Sequence, residues 1–241
     1  MKAIIRTRKV EDVNKKLLDF LNKNYIDYKI CVHPLGKSFA EFHNDIFRQL
    51  DDEVYLFFDD DCVPSRNVFA LENLLLGDES LVAVCGKDLP NDWKIARIKQ
   101  LCFKQNFNFF CTVVHGKFLR ENVRIPFYLE CSEDDYVKKR ILEENKAFQV
   151  AKYFFIHECK DWNKKLVEGL RWHVANQTMH YLNNGGVTDE LCLQEMTLKS
   201  ITAFANSTHS KAARVDRKIA YSLKCHIIQG FLEYAKYIKN R

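Results

Sequence analysis

Glu53-Val54-Tyr55-Leu56-Phe57-Phe58-Asp59-Asp60-Asp61-Cys62-Val63-Pro64 is the stretch on which the fold reading turns. Val54 to Phe58 is apolar without alternation, as expected of a central strand buried on both faces, and it stops at three consecutive aspartates. In open α/β sheets ligands bind beyond the carboxyl ends of the strands, so acids placed there mark a candidate site. Three adjacent carboxylates repel one another, and a divalent cation with a taste for hard oxygen ligands would relieve that repulsion. The alternative is a solvated acidic turn, helped by Pro64 and a following helix from about Arg66.

Outward from this strand, β-like and helix-period segments alternate. Upstream, Ala3 to Thr7 reads as a first strand and Val10 to Asn22 as a helix with Val10, Val13, Leu17, Leu18 and Leu21 on one face. Tyr28 to Val32 follows as a strand, and Ser38 can cap a helix carrying Phe39, Phe42, Ile46 and Leu50. Downstream, Leu81 to Cys85 and Phe109 to Val114 read as strands ending at Gly86 and at His115-Gly116, and Phe148 to Ile156 as the last strand. This is the pattern of βαβ units around a mostly parallel sheet. Three helical segments then dominate, at about Trp162 to Leu182, Glu190 to Phe204 and Lys211 to Ile238. Asn183-Asn184-Gly185-Gly186 and Asn206-Ser207-Thr208 separate them. The expected division is an α/β domain over 1–160 and an all-helical subdomain over 161–241.

With 241 residues, 47% of them hydrophobic, the chain can bury one α/β core and a smaller appendage. A formal charge of +5 falls short of the basic excess of a nucleic-acid binder, so no nucleic acid is expected as partner. Nine cysteines are scattered from Cys31 to Cys225 with no CxxC pair, which reads as reduced core thiols in the cytoplasm. The start of the chain is too briefly apolar for a signal peptide, and no later run approaches the ~18 to 20 apolar residues of a spanning helix.

Two further constellations carry chemistry. Glu133-Asp134-Asp135 opens a helix running through Val137, Arg140 and Ile141. Ser132 with Asp135 would make a capping box there, and acids suit a helix N-terminus; a carboxylate fixed in that turn could equally serve as a general base. Tyr153-Phe154-Phe155-Ile156-His157 ends a strand-like run in an imidazole, either a structural histidine or a metal ligand. Trp93, after the Gly86 strand, could stack on a ligand or pack on its own domain.

The segment Glu53–Pro64 resembles the DxD motif of inverting GT-A glycosyltransferases, family 2 in particular, where apolar residues precede the acids and a proline follows. Ile4-Ile5-Arg6-Thr7-Arg8 resembles that family's first strand, whose end contacts the nucleotide. Glu41-Phe42-His43-Asn44-Asp45 resembles its helix with an Arg-Asn pair, here with His43 in place of the arginine. His33 stands where many relatives have a base-binding aspartate. Glu133-Asp134 with Arg140 resembles the base motif, and His157 stands where many relatives complete the metal site. Gly86-Lys87 and Gly116-Lys117-Phe118-Leu119-Arg120 are similar to two further loops of the family.

The resemblance implies a GT-A fold, Rossmann-like with its sheet flanked by helices, and a C-terminal helical extension. It implies transfer of a sugar from a nucleotide-diphosphate donor, UDP or GDP type, to a hydroxyl of a glycan, protein or lipid-linked acceptor, with inversion. Mn²⁺, or Mg²⁺, would be held by Asp61 and His157, with Asp59 assisting. Thr7, Arg8, Asn44, Asp59 and Asp60 would bind the donor, Trp93 the acceptor, and Asp134, or else Glu133, would be the base. Other readings of the same acids are a metal-dependent nucleotidyltransferase, against which the glycine-free Ile5 to Lys9 speaks, and a non-catalytic nucleotide-sugar-binding protein. Lys211 to Arg241 carries eight Lys or Arg against two acids, with apolar residues at helical spacing. This tail either lies peripherally on an anionic membrane or packs on the domain or on a second subunit in a homodimer.

Overall fold

The computed structural model describes residues 1–64, 68–103, 107–127, 129, 133–159, 161–162, 164–167, 170–171, 174 and 198–239. β1 (Lys2–Thr7) leads through a single 3-10 turn, Val10–Asp12, to α1 (Lys15–Lys23). The helix expected from Val10 starts later because the Asn14 amide donates to the Asp60 carbonyl and the Asn14 side chain caps Lys16. β2 (Tyr28–Val32) and α2 (Phe39–Arg48) follow, the latter opened by a capping box between Ser38 and Glu41. β3 (Val54–Asp59) is buried on both faces: Leu56 and Phe58 join one core with Ile5, Leu17, Leu71 and Val113, while Phe57 meets Phe47 and Phe109.

Beyond the acids come β4 (Cys62–Pro64), α3 (Phe69–Leu76), β5 (Leu81–Pro90), α4 (Trp93–Cys102), β6 (Cys111–His115) and α5 (Gly116–Asn122). α6 (Glu133–Glu143), β7 (Ala147–His157), α7 (Leu198–Ala212) and α8 (Arg217–Lys239) complete the described elements. Ser132, the expected cap of α6, and most of the expected helix 162–182 lie outside the described residues. Asn206-Ser207-Thr208, expected to separate two helices, instead runs inside α7 with Thr208 buried, and the break falls at Asp216, whose carboxylate caps Lys218 and Ile219.

The described strands form one sheet in the order β2-β1-β3-β6-β5-β7-β4. β2, β1 and β3 are parallel, as are β5 and β7. β6 runs antiparallel to both its neighbours and β4 antiparallel to β7, so five of the seven described strands share one direction, as a mostly parallel sheet requires, and only β6 and β4 are reversed. The reason lies in where the chain re-enters. β5 ends at the edge where Cys111 pairs with Phe58, and a chain returning from that same edge must run back.

Two compact units result: Met1–Asn91, Gln105–Phe127 and Glu133–Glu158 form one, and Asp92–Lys104, Tyr128–Ser132 and Cys159–Arg241 the other. In the second, Ile95 and Ile98 of α4 share a core with Trp162, Leu166, Ala212, Ile219 and Leu223. The seven described cysteines are free thiols; Cys31, Cys62, Cys85 and Cys111 are buried and Cys225 is exposed. Among the described residues no helix is long and apolar enough to cross a membrane.

Candidate functional site

The three aspartates after β3 diverge to three partners. Asp59 closes the strand with its Oδ1 2.5 Å from Arg6 Nη2. Asp60 has Oδ2 2.5 Å from the Thr7 hydroxyl, which also lies 2.7 Å from the Lys9 carbonyl. Asp61 Oδ1 is 2.9 Å from His157 Nε2. Backbone geometry produces this last meeting: β4 pairs antiparallel with β7 so that Cys62 stands opposite His157, and the Glu158 amide donates to the Asp61 carbonyl. Two of the sequence-derived metal ligands, far apart in the chain, are thus brought together.

His157 is buried, and its other nitrogen, Nδ1, lies 3.3 Å from Asp88 Oδ1 near the end of β5. With the ring proton on Nδ1 towards Asp88, Nε2 would be left to meet an ion together with Asp61, the arrangement that orients metal-binding imidazoles. Asp61, Cys62 and His157 offer ligand atoms within 4.8 Å of one another. Burial pushes the Cys62 thiol well up, which keeps the sulfur protonated and makes it a poor ligand beside a carboxylate and an imidazole. An oxygen and a nitrogen donor with partly open surroundings, Asp61 being half-buried, fit Mn²⁺ or a similar ion.

Beside this pair sits a buried ionic cluster centred on Arg6 at the end of β1. Its Nη1 lies 2.5 Å from Glu133 Oε1 and 3.1 Å from His43 Nε2, and its Nη2 donates to Asp59 and, at 3.1 Å, to the Phe109 carbonyl. His43 Nδ1 donates to the Phe39 carbonyl, which fixes Nε2 as the acceptor of the Arg6 proton. Desolvation drives the His43 pKa down to about 4, so the ring is neutral. Burial acts to raise the Glu133 carboxyl, yet the Arg6 charge and its hydrogen bond prevail and hold it below the usual range. Asp59 goes the other way: desolvation raises it against the pull of Arg6, and repulsion from Glu133 and Asp61 adds to the rise.

Sequence reasoning missed Arg6 and Asp88. A charge inside Ile4-Ile5-Arg6-Thr7 looks like a solvated strand end, but the parallel register of β1 with β3 sets Arg6 opposite Asp59. Of the remaining residues singled out, Arg8 is exposed. Asn44 is buried with both amide groups on the Ile125 backbone, donating to its carbonyl at 2.9 Å and accepting from its amide at 2.8 Å. Asp134, the second residue of α6, is half-buried, its Oδ1 accepting from the Asp135 amide. Glu133 is committed to Arg6. His33 stacks on Phe42 and bonds the Lys37 carbonyl. Arg120 is spent at the amino end of β3, on the Leu50 carbonyl and Asp52. Trp93 is 71% exposed at the start of α4, in the second compact unit.

No family model matches the chain, and no curated protein sequence does. Its architecture is the GT-A fold, a mixed α/β sheet flanked by helices, with C-terminal helices added. A mannosyltransferase from Pyrobaculum calidifontis, in complex with GDP-Man and Mn²⁺, aligns over 99% of this chain and 78% of its own at TM-score 0.53 and 12% identity. Glucosyl-3-phosphoglycerate synthase from Mycobacterium tuberculosis, in complex with Mn²⁺, UDP and phosphoglyceric acid, aligns over 79% and 80% at TM-score 0.49 and 13% identity. Residues 1–349 of S. aureus TarS, in complex with UDP, align over 100% and 92% at TM-score 0.48 and 13% identity. At 12% identity the likeness to the mannosyltransferase shows the fold alone; the chemistry has to come from the side chains.

Proposed function

We propose that this chain is a glycosyltransferase that moves a sugar from a nucleotide-diphosphate donor, of UDP or GDP type, to an acceptor hydroxyl, with inversion at the anomeric carbon. The observation that carries the reading is the Asp61–His157 pair at 2.9 Å, steadied by Asp88 at the carboxyl edge of a GT-A sheet. That the mannosyltransferase of like fold was solved with GDP-Man and Mn²⁺ supports the same class of donor and ion here.

Asp61 and His157 would hold Mn²⁺ or Mg²⁺, which supplies Lewis-acid neutralisation of the charge developing on the leaving diphosphate. Thr7 and Asp60, already joined, would shape the nucleotide side of the site, and Asp59 would border it. Asp134 would accept the proton of the acceptor hydroxyl at a carboxylate oxygen as that hydroxyl attacks. One displacement assisted by one base inverts the anomeric centre. Glu133 is less suited to that work because Arg6 holds its proton affinity down. The acceptor belongs to the glycan, protein or lipid-linked class.

The test is a screen of UDP- and GDP-sugars for Mn²⁺-dependent transfer and donor hydrolysis, with Asp61→Ala and Asp134→Asn alongside. Asp61→Ala should abolish ion-dependent donor binding. Asp134→Asn should keep donor binding and lower kcat by ~100-fold or more. Wild-type turnover that both substitutions leave intact would defeat the assignment.

A further inference from the structure

Arg6 makes a connection that the reading above leaves unused. A guanidinium carries five N–H donors in a rigid plane. Four of them are engaged here, with Glu133, His43, Asp59 and the Phe109 carbonyl, and Nε alone lacks a hydrogen bond. The four acceptors belong to four separate pieces of chain: the first residue of α6, the middle of α2, the end of β3 and the segment leading into β6. Phe109 also lies under the guanidinium, with Cζ 5.2 Å from the ring centroid. A planar fork held at four points cannot turn without breaking charge-assisted bonds, so it sets distances as well as charge.

We propose that Arg6 is a positioning residue: by gripping Asp59 and Glu133 together it fixes the start of α6, and with it Asp134, against the acidic end of β3. The inference rests on the proposed glycosyl transfer and names a device within that same site. Arg6 touches no reacting atom in this account. It acts on the spacing between the base and the donor-side carboxylates, where a displacement of about 1 Å costs on the order of 100-fold in rate. The competing account is a buried ion pair that serves stability alone.

The two accounts separate on kcat against binding. Arg6→Lys keeps the charge and loses the fork, Arg6→Met loses both, and Glu133→Gln keeps the shape of the partner without its charge. Each is measured for transfer kcat, for Kd of the Mn²⁺ complex of the nucleoside diphosphate that the wild type binds, and for thermal melting. Arg6→Met should lower kcat ~100-fold and Arg6→Lys at least ~10-fold, with Kd moving less than about threefold, since only the placement of α6 is lost. The double variant Arg6→Met/Glu133→Gln should be no slower than Arg6→Met, because the pair acts as a unit. Should Arg6→Met fail to fold, Arg6→Lys and Glu133→Gln carry the same comparison. Unchanged kcat in folded variants, a fall in kcat matched by a comparable rise in Kd, or multiplying losses in the double variant would each overturn the inference. A wild type inactive on every donor removes the glycosyltransferase reading and this inference with it; an active wild type with kcat indifferent to Arg6 removes the inference alone.

Discussion

His157 has two ring nitrogens and the fold gives each a carboxylate, Asp61 on Nε2 and Asp88 on Nδ1. If Asp88 sets the tautomer, then Asp88→Asn should weaken Mn²⁺ binding by ~10- to 100-fold without touching the ligands themselves. Calorimetric titration with Mn²⁺ alone reads this directly, and an unchanged Kd in a normally melting variant would remove Asp88 from the support of the site. His43 offers a pH-dependent counterpart. Its ring is buried facing Glu133, Arg6 and His33, with the pKa lowered from 6.5 to about 4. Between those values the unfolded chain takes up a proton that the folded chain refuses. The contribution is therefore neutral above about 6.5, turns destabilising as pH falls, and levels off below about 4 at a cost of about 3 kcal/mol. His43→Gln keeps one donor and one acceptor but does not titrate, so its denaturant midpoint should fall less than that of the wild type between pH 7 and pH 4.5. Equal falls in the two proteins would show that His43 is not the source.

At the scale of elements, what the sequence made legible is what periodicity and strand ends announce. β1, β2, β3, α2 and β7 stand close to where their apolar patterns put them, and the capping box at Ser38 formed as read. β4 escaped because three residues ending in proline look like a loop; only pairing with β7 makes them a strand. α4 escaped although Asp92 caps Lys94 and Ile95 and the buried Ile95 and Ile98 sit three apart, a pattern too short to stand out beside Pro90. Of the candidate site, Asp61 and His157 were legible because each closes an apolar run. Arg6 and Asp88 were not, because their role is set by inter-strand register, which one strand's pattern does not contain. α5 shows the same dependence on neighbours. It begins at Gly116, whose amide donates to the Glu53 carbonyl and where a Cβ would stand 2.5 Å from the Asp51 carbonyl oxygen and 2.7 Å from Tyr55 Cε2. Gly116→Ala must push backbone apart at the start of β3 and should cost about 1–3 kcal/mol, read as a lower denaturation midpoint. A midpoint equal to that of the wild type would mean that this junction relaxes freely.

At the scale of the molecule, the chain's order and its compact units disagree most instructively at α4. A division at residue 160 follows from the point at which strand signals end, whereas α4 belongs with the C-terminal helices. Ile95 and Ile98, both fully buried, spend their apolar surface on Trp162, Leu166, Ile219, Ala220 and Leu223, and Lys94 pairs with Asp216 at 3.1 Å. The exposed ion pair contributes little, so the grouping rests on the apolar contact. A chain cut after residue 160 keeps α4 but loses every one of those partners, leaving two isoleucines and the half-buried Cys102 and Phe103 facing water. Such a surface promotes association. Residues 1–160 expressed alone should therefore aggregate or elute as oligomers, and replacing Ile95 and Ile98 by polar residues should improve the solubility of the fragment while destabilising the full chain. Size-exclusion chromatography and thermal melting of the four proteins decide the matter. A monomeric fragment that melts as the intact protein does would show that α4 needs nothing from the helices that follow it.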